Sequence, residues 1–240
     1  MSLIYAHRGA SGHAPENTLE AFRLAMDMGA DGFELDVHMS KDGELVVIHD
    51  ETVDRTTNGT GYVKDLTLAQ LKTLDACNGL IKFRGAGIPT LAEVFDLIRD
   101  TRHIVNVEVK TDECFYPLIE EKCLALAKEK GVEDRVIYSS FNHYTLIKLR
   151  QLKPDAKLGM LFGDIMVKPW EYAVPLNVDF LHPMKMNIYV PGFAEDARAA
   201  GYGVNMWTIN DEATIRHCLE KDVGIITNYP DLAVSLRDSQ

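Results

Sequence analysis

The sequence has few cysteines and no long apolar run. Its 240 residues include four cysteines and no C-x-x-C pair, which favours reduced structural thiols over a disulfide or zinc framework. No segment approaches the roughly 18 consecutive apolar residues of a transmembrane helix. The first residues lead directly into His7 and Arg8 without the apolar core of a signal peptide. We therefore expect a cytoplasmic location and no stable membrane insertion.

The chain also has fewer basic than acidic residues. The chain has 36 acidic and 25 basic residues, so its formal net charge is −11. Proteins that coat nucleic acids or anionic membranes need a basic surface, so we expect no nucleic-acid partner. The glycine motifs G-x-G-x-x-G and G-x-x-x-x-G-K-[ST] are absent, which disfavours a doubly wound nucleotide-binding sheet. The oligomeric state is left open.

Short apolar runs alternate with helical patterns along the whole chain. They give eight strand–helix units, with one Thr-, Asn- and Gly-rich insertion after the second strand at residues 51–89. Strands that alternate with helices form parallel sheets, and this number of units fits a barrel of about 250 residues. The sequence thus predicts a (β/α)₈ TIM barrel as a single domain over residues 1–240, with an open doubly wound sheet as the alternative.

Three helix starts can be read from capping patterns. Asn17 with Glu20, Thr67 with Gln70, and Thr90 with Glu93 each place a polar residue three positions before an acid or amide. The third marks the return of regular alternation after the insertion.

Polar and ionisable side chains collect where the predicted strands end. In a barrel, these carboxyl ends and the loops after them build the active site. The groups come from most strands, and they are His7, Arg8, Glu34, Asp36, His49, Asp50, Asn106, Glu108, Lys110, His182, Trp207 and Asn228.

Three acidic residues have the spacing of a shared site. Glu34 and Asp36 are two residues apart, so both face the same side of their strand. Glu108 and Lys110 are also two residues apart and share one side of theirs. Carboxylates buried together repel unless they are paired or bound to a cation. All-oxygen ligation favours Mg²⁺, Ca²⁺ or Mn²⁺ over Zn²⁺. The alternative is a structural network in which these acids pair with Arg8 and Lys110.

Two histidines, His7 and His49, lie at predicted strand ends beside the acidic segments. An imidazole titrates near neutral pH, so the pair is a candidate general acid and base, with two structural histidines as the alternative. Arg8 and Lys110 are candidate hydrogen-bond donors to a bound phosphate group. Trp207 is a candidate pocket wall or a core residue. The other histidines are expected in loops or on helix surfaces, namely His13, His38, His103, His143 and His217.

The motifs taken together resemble the glycerophosphodiester phosphodiesterase family. They run in order from His7-Arg8-Gly9 through Pro15–Thr18, Glu34–Val37, Asp42-Gly43 and His49-Asp50 to Glu108-Val109-Lys110, Ser140-Phe141, Trp207–Asn210 and Ile226–Asp231. Two positions depart from the family pattern. Ser40 stands where the family often has Thr, and Asn228 stands where it often has Asp.

The resemblance implies a (β/α)₈ barrel whose insertion helps to cover the pocket. It implies hydrolysis of glycerophosphodiesters, such as glycerophosphocholine or glycerophosphoethanolamine, to sn-glycerol 3-phosphate and an alcohol. A divalent cation, Mg²⁺ or Ca²⁺, would be held at Glu34, Asp36 and Glu108. The acid–base pair would be His7 and His49, and Arg8 and Lys110 would bind phosphate.

Two other functions compete with this one. Enzymes on the same barrel cleave lysophospholipids and other phospholipids, but the sequence has no long apolar loop for such substrates. The insertion does carry Leu80, Ile81 and Phe83. A binding barrel without turnover is disfavoured, because His7, His49 and the three acids are all present.

Overall fold

The computed structural model describes residues 2–239, and its sheet closes into a barrel. Eight strands, β1, β2 and β4 to β9, run parallel, and β1 pairs with both β2 and β9. The strands are β1 (Ile4–His7), β2 (Gly32–Met39), β3 (Leu45–Val47), β4 (Ile104–Val109), β5 (Val136–Ser140), β6 (Lys157–Phe162), β7 (Phe180–Pro183), β8 (Gly203–Met206) and β9 (Gly224–Thr227). The predicted (β/α)₈ barrel is confirmed, and the open sheet is excluded.

Helices follow the barrel strands. They are α1 (Leu19–Asp27), α2 (Leu68–Leu71), α3 (Leu91–Ile98), α4 (Ile119–Lys130), α5 (His143–Leu152), α6 (Pro169–Ala173), α7 (Phe193–Ala199), α8 (Glu212–Glu220) and α9 (Pro230–Asp238). Across residues 2–239, none of the helices has the length and apolar character needed to cross a bilayer.

Strand β2 is buried on both faces, and its alternation sorts its side chains. Phe33, Leu35 and Val37 belong to the apolar core that packs under the helices, where Phe33 stacks on Phe22 of α1 at a centroid distance of 4.5 Å. Because successive side chains of a strand point to opposite faces, Glu34 and Asp36 must point into the barrel. Because the apolar side chains of β2 pack under the helices, the acids on its other face point to the centre of the barrel.

The predicted capping boxes at Thr67 and Thr90 are present, but the cap of α1 is not Asn17. Thr18 caps this helix, and its hydroxyl accepts a hydrogen bond from the backbone N–H of Ala21. Asn17 has a φ of 57°, outside the helix, and its amide donates to Asp36 Oδ2 at 2.8 Å. The prediction of Asn17 as the cap was wrong because its side chain bonds across the barrel mouth.

Two helices have distinctive ends. Helix α4 begins at Ile119, and the residue before it, Leu118, has a left-handed φ of 62°. Helix α6 continues as a 3₁₀ turn at Val174–Leu176.

The segment 51–89 follows β3, which pairs antiparallel with β2. It contains α2 and two 3₁₀ turns, Val63–Asp65 and Ile81–Phe83. Its apolar side chains form a cluster separate from the main core. Val46 of β3 and Ile48, the residue after β3, also belong to this cluster. The buried members are Val46, Ile48, Val53, Val63, Leu71, Ala76 and Ile88.

Candidate active site

Strand pairing brings the predicted site residues into two adjacent rows. His7 of β1 pairs with Glu34 of β2, and Glu34 pairs with Asn106 of β4. Two residues further along, Asp36 pairs with Glu108. Neighbouring strands lie about 4.7–4.9 Å apart, and paired residues share a face, so all five side chains converge inside one end of the barrel.

The three acids form one cluster. A carboxylate oxygen from each of Glu34, Asp36 and Glu108 lies within 4.8 Å of the other two, and all three residues are buried. Asp36 Oδ1 has no hydrogen-bond donor among residues 2–239. An all-oxygen, densely anionic set with an unsatisfied oxygen fits a hard divalent cation such as Mg²⁺ or Ca²⁺.

Burial and mutual repulsion govern how these acids titrate. Burial, together with the charges of Asp36 and Glu108, raises the pKa of Glu34 well above its usual value. Burial and the Asp36 charge likewise raise the pKa of Glu108. For Asp36, burial is outweighed by the nearby Arg8 charge, and its pKa is lowered. The cluster therefore carries more negative charge than its surroundings stabilise.

Two basic side chains touch the cluster. The backbone N–H of Arg8 donates to Glu34 Oε2 at 3.0 Å, and its Nε lies 3.4 Å from Asp36 Oδ2. Lys110 Nζ donates to Glu108 Oε1 at 2.9 Å. Arg8 Nη1 also donates to Glu16 Oε1 at 2.9 Å. Two cationic groups face three clustered acids and Glu16, so these ion pairs leave negative charge uncompensated.

The hydrogen bond of His7 fixes its tautomer. Its Nδ1 lies 2.7 Å from Asn228 Oδ1, an amide oxygen that can only accept, so Nδ1 carries the proton. Its Nε2 then carries a lone pair and lies 4.0 Å from Glu34 Oε2. Burial and the neighbouring Arg8 lower the pKa of His7 to about 4. This imidazole is neutral at physiological pH.

His49 has a charged partner instead. Its Nδ1 lies 2.6 Å from Asp50 Oδ1, so Nδ1–H donates to the carboxylate. Arg55 donates to both oxygens of Asp50, and this contact is the main reason why the pKa of Asp50 lies well below its usual range. Asp50 is thus the hydrogen-bond partner that orients the His49 ring.

A cavity opens between these groups and an apolar wall. Trp207 packs edge-to-face on Phe141 with ring centroids 5.5 Å apart. Its indole N–H donates to the backbone oxygen of His182 at 2.8 Å, so it presents only its apolar surface. The cavity is lined by His7, Arg8, Glu34, His49, Asn106, Glu108, Phe141, Leu161, Trp207 and Ile226.

Some residues expected at this end of the barrel do not line the cavity. Asp36 and Lys110 contact the lining through Arg8 and Glu108. His182 is fully buried in β7, and its Nε2 bonds the amide of Asn205 at 3.1 Å. It is a core histidine rather than a rim group.

His38 contradicts the expectation that it lies in a loop or on a helix surface. It is a fully buried residue of β2. Its Nε2 lies 3.0 Å from the backbone oxygen of His49, and its Nδ1 lies 2.9 Å from the hydroxyl of Tyr116. Extending the two-residue period of Glu34 and Asp36 by one step would have found it.

Glu16 and Arg55 were missed as site residues. Glu16 was named only as part of the Pro15–Thr18 motif and given no role, yet its carboxylate binds both Arg8 and Arg55. Arg55 lies in the aperiodic insertion, where no pattern indicates which side chain meets the barrel. Only the contact between distant loops reveals these two residues.

The chain matches the family model described as "Glycerophosphoryl diester phosphodiesterase family" over residues 7–232. Among curated relatives, a glycerophosphodiester phosphodiesterase from Caldanaerobacter subterraneus subsp. tengcongensis is 47% identical over 98% of this chain and 97% of its own. One from Bacillus altitudinis is 40% identical and covers 99% of each chain.

Solved structures agree with the sequence relatives. A glycerophosphodiester phosphodiesterase from Agrobacterium tumefaciens is 34% identical, with a TM-score of 0.87 over 98% of this chain and 100% of its own. An Oleispira antarctica phosphodiesterase, solved with the product sn-glycerol-3-phosphate, is 32% identical, with a TM-score of 0.92 over 99% and 97%. This chain therefore belongs to the glycerophosphoryl diester phosphodiesterase family of hydrolases.

Proposed function

We propose that this enzyme hydrolyses small glycerophosphodiesters, such as glycerophosphocholine and glycerophosphoethanolamine, to sn-glycerol 3-phosphate and an alcohol. The observation that carries the proposal is the buried cluster of Glu34, Asp36 and Glu108, which shares one cavity mouth with two histidines and an arginine. The Oleispira antarctica relative, solved with that product, supports the substrate class.

The activity depends on a divalent cation, Mg²⁺ or Ca²⁺ with Mn²⁺ as a further candidate, held by Glu34, Asp36 and Glu108. A cation held by these three residues would supply Lewis-acid chemistry at the phosphate. Arg8 supplies a second positive group. Its Nη1 and backbone N–H are engaged by Glu16 and Glu34, which leaves Nη2 to donate to a phosphate oxygen. One N–H of the Lys110 ammonium group donates to Glu108, and we assign the other two as donors to a phosphate oxygen.

The two histidines move the protons. His7 is neutral with a lone pair on Nε2, so it takes the proton of the attacking hydroxyl. That hydroxyl is either water, which gives the product directly, or the C2 hydroxyl of the glycerol, which gives a cyclic phosphate that water then opens. His49 is oriented by its hydrogen bond to the Asp50 carboxylate, and we assign it the donation of a proton to the leaving alcohol oxygen. Trp207 and Phe141 pack against the carbon skeleton of the substrate.

We further propose that segment 51–89 covers the pocket. It begins directly after Asp50 and places Arg55 against Glu16 beside the cavity. A cytoplasmic location and the absence of a nucleic-acid partner remain predictions from composition, and cell fractionation tests the first.

The central experiment measures release of glycerol 3-phosphate from glycerophosphocholine by the purified protein. The enzyme is treated with EDTA and then assayed with Mg²⁺, Ca²⁺ or Mn²⁺ restored. We expect no release after EDTA and recovery with at least one cation. Release that EDTA does not reduce would contradict the metal assignment, and no release with any cation from folded protein would contradict the substrate.

A second candidate activity is cleavage of lysophospholipids. Large apolar side chains are exposed on the loops that follow β4 and β6, with Phe115 83% and Val167 92% accessible. An acyl chain would bury such side chains, whereas a small head group would not. Turnover of lysophosphatidylcholine above that of glycerophosphocholine would favour this second activity.

A further inference from the structure

Arg55 makes an unusual set of contacts for a side chain that is 45% exposed. Its Nη1 and Nη2 donate to the two oxygens of Glu16 at 2.7 and 2.8 Å. Its Nε and Nη2 donate to the two oxygens of Asp50 at 2.7 and 2.9 Å. One guanidinium group therefore holds two carboxylates in bidentate geometry.

Each of those carboxylates also holds a residue of the cavity. Glu16 Oε1 accepts from Arg8 Nη1 at 2.9 Å. Asp50 Oδ1 accepts from His49 Nδ1 at 2.6 Å. The five side chains form an unbroken chain of hydrogen bonds, the clamp, in the order Arg8, Glu16, Arg55, Asp50 and His49. Its two ends line the cavity, and its centre comes from the insertion.

Stability alone gives little reason for this arrangement. Ion pairs that solvent reaches on one side, as it reaches Arg55, contribute little to the free energy of unfolding. Bidentate arginine–carboxylate pairs instead fix orientation, because the planar guanidinium matches both carboxylate oxygens. Without Arg55, Asp50 Oδ2 loses its donor and the carboxylate is free to turn. His49 would then lose the acceptor that sets its ring plane.

We propose that Arg55 is a positioning residue for the hydrolysis, which orients His49 through Asp50 and Arg8 through Glu16. The proposal rests on the function proposed above. Arg55 contacts none of Glu34, Asp36 and Glu108 directly, so its role is separate from cation binding. It also ties the insertion to the barrel. This segment therefore sets the distance between His49, the acid–base group, and Arg8, the residue that binds the phosphate.

The test uses Arg55→Ala, assayed with and without added methylguanidinium at concentrations that do not unfold the protein. We expect kcat to fall about 10–100-fold, with the cation dissociation constant from calorimetry changed less than threefold. Because Arg55 is exposed, methylguanidinium can enter the vacated space and should restore at least a tenth of the lost kcat. Arg55→Lys should lie between wild type and Arg55→Ala, since an ammonium group cannot form the double fork.

Arg216→Ala is the matched control. Arg216 is 48% exposed and donates twice to Glu212 on helix α8, as a surface arginine outside the site. We expect neither the substitution nor methylguanidinium to change its kcat. Circular dichroism verifies folding, and Arg55→Lys carries the test if Arg55→Ala does not fold.

Two outcomes overturn the positioning role. One is an Arg55→Ala kcat within twofold of wild type. The other is a loss of kcat in a folded Arg55→Ala protein that methylguanidinium leaves unchanged. Failure of the proposed function is distinguishable, since the wild-type protein would then release no glycerol 3-phosphate at all.

Discussion

At the scale of single residues, the two cavity histidines hold the same tautomer through different acceptors. His7 donates to the neutral amide of Asn228, and His49 donates to the carboxylate of Asp50. A carboxylate stabilises an imidazolium far more than an amide oxygen does. The pair is therefore electrostatically unequal, which suits one group that accepts a proton and one that gives it.

Removing either imidazole should reduce turnover. We expect His7→Ala and His49→Ala each to lower kcat by about 10²–10⁴-fold, the usual contribution of a general acid or base. Steady-state release of glycerol 3-phosphate measures the effect. His217→Ala is the control, because His217 stacks on Tyr189 at the surface of α8. Near-normal activity in both cavity variants would refute the assignment.

Asn228→Asp should change the pH profile. A carboxylate in place of the amide favours the charged form of His7, so the pKa of His7 rises from its lowered value of about 4. His7 acts as base only when neutral, so the acid limb of kcat/KM should move to higher pH. The profile is recorded at saturating cation. An unmoved acid limb would show that His7 is not the base.

At the scale of elements, strand β2 supplies more than the two acids proposed as cation ligands. Glu34, Asp36 and His38 share its inner face, and His38 holds the turn that carries His49. A carbonyl only accepts, so His38 Nε2 donates to His49 O, and Nδ1 must accept from the Tyr116 hydroxyl. One buried imidazole thus joins β2, the end of β3 and the loop before α4.

His38→Leu should lower both stability and turnover. It leaves the His49 carbonyl and the Tyr116 hydroxyl without their partner, which costs about 1–3 kcal/mol for each buried group left unsatisfied. We expect a lower Tm and a lower kcat, measured by calorimetry and by product release. Tyr116→Phe removes only one of the two bonds and is the milder control. A His38→Leu protein with wild-type Tm and kcat would contradict this role.

At the scale of the whole molecule, repulsion within the acidic cluster opposes folding, and the proposed cation would offset this repulsion. Glu34→Gln removes one charge from the repelling group, so the cation-free variant should be more stable than the cation-free wild type by about 1–2 kcal/mol. A cation that binds only the folded wild type adds about 2.7 kcal/mol at 100 times its Kd. Thermal melts with EDTA and with cation should therefore rank the two proteins in opposite orders.

The reverse result is equally clear. If the cation raises the Tm of Glu34→Gln as much as that of wild type, Glu34 is not a ligand. The control is an acid-to-amide substitution far from the barrel mouth, which gives the Tm change expected from the loss of one surface charge. Glu212→Gln on helix α8 is suitable.

Regular periodicity explains which parts of this structure could be predicted. The eight units and the three acids follow from alternation along one strand at a time. Contacts between distant loops carry no such period. The hydrogen bond from His7 to Asn228 exists because β1 pairs with β9 across the closed barrel, and the one from Arg55 to Glu16 joins two loops. Closure, rather than local pattern, creates these bonds.

The separate apolar cluster of segment 51–89 has an evolutionary consequence. Its buried side chains pack on Val46 and Ile48 and not into the main core, which is built from the barrel strands and their helices. Sequence changes in this segment can therefore accumulate without disturbing the main core or the acids inside the barrel, as long as Arg55 still holds Glu16 and Asp50. The segment can vary as a module on an unchanged scaffold.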